Sequence, residues 1–86
     1  MSGPISDPKA LGAAIRQMRR TRGWTQAEVA ERAAVSRRFV SALETGDRTG
    51  AELGRVFAVL RALDVAVELL ERPRSSFDES LREVLG

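Results

Sequence analysis

Residues 25–46 read TQAEVAERAAVSRRFVSALETG, and this stretch decides the fold. It divides into two short helices with a tight corner between them. The Thr25 hydroxyl caps the first helix, and Glu28, three residues on, reaches back to complete a capping box. Val29, Ala30 and Ala33 fall on one helical face. Ser36 reads as a second N-cap, with Val35 and Val40 around it at hydrophobic-staple spacing. Val40 and Leu43 supply the buried stripe of the second helix, and Gly46 is placed to end it. Arg37 and Arg38 are left on its first turn, away from that stripe. Two short helices at a fixed angle, the second led by arginines, are what major-groove reading requires.

Gln26, Ala30, Val35-Ser36, Val40 and Glu44 together resemble the helix-turn-helix pattern of the Cro and phage-repressor (XRE) superfamily, over about Leu11 to Leu63. The chain departs from that pattern at Ala34, where many relatives carry glycine in the turn. A left-handed backbone there costs alanine about 1 kcal/mol and reshapes the turn slightly. The continuation TGAELGRVFAVLRALDVAVELLERP (residues 49–73) resembles a narrower group, the HipB-type antitoxins and their free-standing relatives. The superfamily resemblance implies that Arg19 and Glu44 form an ion pair bracing the first helix against the third. It also implies that Gln26 bonds a DNA phosphate.

Composition narrows the alternatives. At 86 residues, 43% hydrophobic and 30% charged, the chain suits one small globular domain. No apolar run approaches the ~20 residues needed to span a bilayer, and the N-terminal MSGPISDPKA is not a signal peptide. A cytoplasmic protein is the simplest expectation. With no cysteine and no histidine, the chain lacks the thiolate ligand, the thiol nucleophile and the commonest general base. Glu28, Glu31, Glu44, Glu52, Asp64, Glu68 and Glu71 read as caps or solvated charges, so no catalysis, metal or cofactor is expected. The net charge of +2 is unevenly spread. Residues 1–50 carry nine basic and five acidic side chains, and residues 51–86 five basic and seven acidic. A positive half coinciding with the two-helix corner fits a polyanion-binding face; ordinary solvated charge is the plainer alternative.

In chain order, residues 1–7 read as a disordered arm. Asp7-Pro8 is an N-cap followed by proline at the first helical position. Leu11, Ile15 and Met18 then define the inward stripe of a helix from about Pro8 to Arg22, ended by Gly23. Trp24 caps the core. After Gly46, Thr49 and Glu52 form another capping-box pattern. Leu53, Val56, Phe57, Leu60 and Leu63 make the next helix amphipathic. Residues 8–64 are thus an all-α domain of four to five helices. From Val65 the period changes to two, with Val65, Val67 and Leu69 on one side, so residues 65–72 read as a strand. A lone strand leaves its backbone groups unpaired, and the economical partner is the same strand of a second copy across a two-fold axis. The HipB-type resemblance implies the same intermolecular sheet. In the tail, residues 73–86, Phe77, Leu81, Val84 and Leu85 recur at helical spacing, and Ser76 with Glu79 is a further capping-box pattern.

The candidate base contacts are Arg37 and Arg38, because a guanidinium bonds guanine O6 and N7 bidentately; a phosphate clamp is their alternative. Ser41 and Ala42 lie one turn on, in the region that touches bases in relatives. Phe39 is read as packing rather than as a base contact. Gln26, Ser36, Arg22, Thr45 and Arg48 are the candidate phosphate contacts. The expected activity is homodimeric binding of a palindromic double-stranded operator and repression of transcription. The resemblance places it in a Hip-type toxin–antitoxin pair with a kinase-like toxin, for which Phe77 and Leu81 are the candidate anchors; a tail that packs on its own domain or stays frayed is the alternative. A stand-alone regulator without a toxin is the alternative, and a pure protein-interaction adaptor is disfavoured by the intact Ser36-Arg37-Arg38 start.

Overall fold

The computed structural model describes residues 3–72 and contains four helices, α1 (Pro8–Thr21), α2 (Gln26–Ala33), α3 (Arg37–Thr45) and α4 (Leu53–Ala62). Three of them begin on the chemistry legible in the sequence. Asp7 accepts a bond from the Ala10 amide at 2.8 Å, with Pro8 in the first turn. Thr25 and Glu28 form the reciprocal capping box at 3.1 Å in each direction. Ser36 Oγ accepts from the Phe39 amide at 3.0 Å.

The fourth start differs. Thr49 and Gly50 lie in a turn, Glu52 itself occupies the N-cap, and no side chain caps α4. The Thr49–Glu52 spacing therefore builds no capping box, because the helix begins three residues later than that pattern requires. The Glu52 carboxylate instead lies 3.8 Å from Arg55, an exposed contact of little energetic weight.

All four helices end in one way, with a left-handed residue followed by an amide that reaches back across the last turn. Gly23, Ala34, Gly46 and Asp64 are the left-handed residues. The amides of Trp24, Val35, Asp47 and Val65 bond the carbonyls of Arg19, Ala30, Ala42 and Leu60 at 3.1, 3.0, 3.2 and 2.9 Å. At two of these corners a side chain stands where glycine would be easier. Ala34, at φ 57° and ψ 42°, confirms that the corner between α2 and α3 demands that conformation.

The core forms where α1 and α2 pack on α3, and α4 packs on α2. Ile15, Val29, Val40, Val59 and Leu63 are its fully enclosed members, with Phe39 beside them. Leu11, Trp24 and Val35 cover its edge. Phe39 is buried, as its reading as a packing residue anticipates. At Gly12 the backbone of α1 comes so close to α3 that an added Cβ would meet the Leu43 carbonyl oxygen, and that of Glu44 at 2.9 Å. Glycine there is a packing requirement.

The amphipathic stripes are only partly buried. Val56, Leu60 and Leu63 face the core, but Leu53 is 67% exposed, and Phe57 and Met18 are also exposed. Leu53 and Phe57 lie one turn apart on a flank of α4 that no other described helix covers. They join Met18, Ile5 and residues 65–72 around an apolar groove to which α3 contributes nothing. Among the described residues there is no strand. Val65 packs on the core edge, whereas Val67, Leu69 and Leu70 are exposed. A ladder needs a second strand, and the described part of one chain offers none. Phe77, Leu81 and the tail helix expected around them lie outside the described residues.

Candidate nucleic-acid interface

The face left open by the core is the outer side of α3. Burying Val40, Leu43 and Glu44 turns the other side of the helix to solvent. Arg37, Arg38, Ser41, Ala42 and Thr45 line one shallow groove there, together with Asp47 from the following loop. Both arginines are exposed, and neither forms an ion pair among the described residues. The four candidate base contacts are thus side by side. Thr45 Oγ lies 3.0 Å from both the Ala42 carbonyl oxygen and Asp47 Oδ2, which fixes its rotamer.

The expected phosphate contacts are less uniform. Ser36 spends its oxygen as an acceptor at the α3 cap, leaving its O–H as the free donor. Arg48 is exposed and places its guanidinium 5.6 Å from the Phe39 ring centre. Arg22 folds back, its Nη1 donating to the Met18 carbonyl oxygen at 3.2 Å. That bond serves the C-terminus of α1.

Gln26 opens α2 and is tied to the buried carboxylate of Glu44. Its Nε2 donates to Glu44 Oε1 at 3.2 Å. Glu44 also receives Arg19 Nε at 2.7 Å and Nη2 at 3.0 Å, and Arg19 Nη1 donates to the Trp24 carbonyl oxygen at 2.8 Å. The bracing pair between α1 and α3 is therefore formed as the resemblance implies. Burial alone would raise the Glu44 carboxyl pKa. The hydrogen bonds from Arg19 and Gln26, with the nearby charges of Arg19 and Arg16, more than offset it and hold the pKa below the ordinary carboxylate value. The hydrogen bond that Arg19 donates to Glu44 outweighs desolvation and raises the pKa of Arg19.

Two features of this surface escape a reading of the sequence alone. One is the Glu44–Gln26 bond, signalled only by two polar residues 18 positions apart that both match the superfamily pattern. The other is Asp47, an acid in a short polar loop that carries no sequence signal of its own.

The arrangement can be placed among known proteins. The helix-turn-helix family model matches residues 15–70, which takes in α2, α3 and α4 and the second half of α1. The chain belongs to the helix-turn-helix family. As a member of that family it is 36% identical over 70 residues to the uncharacterized HTH-type transcriptional regulator y4mF of Sinorhizobium fredii (strain NBRC 101917 / NGR234). That match covers 81% of this chain and 91% of the relative. Its fold is similar to that of HipB in a HipA–HipB–O2–O3 complex, with a TM-score of 0.77 at 25% identity. The likeness covers 84% of this chain and all of the other. A HipB–O4 20mer complex gives the same TM-score, identity and coverage. The HipB likeness read from residues 49–73 thus extends to the three-dimensional fold.

Proposed function

We propose that this helix-turn-helix protein binds operator DNA as a homodimer and represses transcription as the antitoxin of a Hip-type pair. The groove along α3 carries the proposal. It presents two exposed guanidiniums, a hydroxyl and a methyl group on one face, the mixture that hydrogen-bonds guanine edges and packs on thymine methyls. Arg37 and Arg38 read bases, with Ser41 and Ala42 beside them. Gln26, aimed by Glu44 at the start of α2, bonds a phosphate, and Ser36, Arg22, Thr45 and Arg48 are the further phosphate contacts of this reading. The regulator y4mF and the HipB complexes support the DNA-binding part of this reading.

The homodimer rests on the opposite side of the chain. Val67 is 51% and Leu69 93% exposed beside the apolar groove of α1 and α4, more than a small soluble domain usually leaves uncovered. Strand pairing through Val65, Val67 and Leu69 covers them and sets two α3 helices one operator half-site apart. The toxin partner in this reading is a kinase-like protein engaged through Phe77 and Leu81; the likeness to HipB in a HipA–HipB complex supports a protein partner. A regulator with no toxin remains the second reading, favoured by the relative y4mF. A gel-shift titration over salt concentration tests the DNA reading. Affinity that falls steeply with salt supports it, and no shift at low salt points to an adaptor.

A further inference from the structure

Asp47 is the one acid among the residues that line the α3 groove. It follows the C-terminus of α3, where the helix dipole disfavours an anion. Its place is nevertheless fixed. The Asp47 amide bonds the Ala42 carbonyl oxygen at 3.2 Å, and Thr45 Oγ lies 3.0 Å from Oδ2. No basic side chain pairs with it among the described residues, and its other carboxylate oxygen has no hydrogen-bond partner among them. A carboxylate held rigidly in the groove of Arg37 and Arg38 repels the DNA backbone, so the groove gains from it only through a donor on a base edge.

We propose that Asp47 is a specificity-determining residue, its carboxylate accepting a hydrogen bond from the N4 amino group of a cytosine. The proposal rests on the DNA-binding reading of the groove. The major groove offers two amino donors, cytosine N4 and adenine N6. Adenine presents the acceptor N7 beside N6, which repels a carboxylate, whereas cytosine presents only C–H beside N4. Acid at this position therefore selects cytosine, and an amide, which donates as well as accepts, selects adenine.

The test is selection of bound duplexes from a randomised library by the full-length protein, its Asp47→Asn variant and its Asp47→Ala variant. The expected result is a cytosine in each wild-type half-site, favoured roughly tenfold. That preference is lost in Asp47→Ala and moves to adenine in Asp47→Asn, with the other positions unchanged. If all three proteins select the same sequence, or the variants only bind every duplex more tightly, Asp47 reads no base and the proposal fails alone. If the wild type selects no sequence at all, the DNA reading of the groove fails with it.

Discussion

Arg19 and Glu44 join α1 to α3 through two parallel hydrogen bonds, with only 11% and 2% of their side chains exposed. Removing one partner leaves the other buried and unpaired. Arg19→Ala should therefore cost about 3–5 kcal/mol in urea unfolding, whereas Arg19→Met/Glu44→Met should recover most of that loss. The sign of the pH dependence follows from Glu44. Its folded pKa lies below its unfolded value, so its contribution is complete above about pH 4.3 and is lost as pH falls through the folded value. Wild-type stability should drop more steeply below that pH than stability of the double Met variant. Parallel acid profiles for the two would contradict the assignment.

Gly12 and Ala34 should respond in opposite directions. Gly12→Ala drives a methyl group into the carbonyls of Leu43 and Glu44, and should cost about 1–3 kcal/mol or more by overpacking. Ala34→Gly relieves a left-handed alanine and should gain up to about 0.5 kcal/mol after the entropy of the added glycine. Thermal melts monitored by circular dichroism read both.

These two residues also show what the sequence does and does not disclose. Helix starts at Asp7, Thr25 and Ser36 are legible because capping is local chemistry between residues three apart. The same local pattern misleads at Thr49 and Glu52, where a turn claims the threonine before the helix can use it. Periodicity locates α4, yet Leu53 and Phe57 point away from the core, since spacing marks a face without saying what covers it. The close approach at Gly12 belongs to two distant segments and leaves no local trace. Helical spacing puts Arg37, Arg38, Ser41 and Ala42 on one face, whereas Asp47 carries no signal, because short polar loops carry acids for many reasons.

The dimer can be tested through the chain after α4. Val67→Pro removes a ladder donor without touching the helical core. Sedimentation should show a monomer with near-native helix content, and operator affinity should fall sharply. An unchanged dimer would move the interface to the α1 and α4 groove alone.

Truncation after Arg72 addresses the toxin. The shortened chain should keep operator binding near wild type and lose affinity for a kinase-like partner severalfold or more. Reduced thermal stability with full partner binding would assign residues 73–86 to the fold instead.

The most direct measurement of the central claim compares selected operator with random duplex for three single variants, Arg37→Ala, Arg38→Ala and Gln26→Ala. Each arginine variant should lose about 1–3 kcal/mol on the operator, keep most of its affinity for random DNA, and relax preference at one position per half-site. Gln26→Ala should weaken both duplexes evenly. Equal losses on operator and random DNA for both arginine variants would contradict base reading by α3 and leave these residues as phosphate clamps.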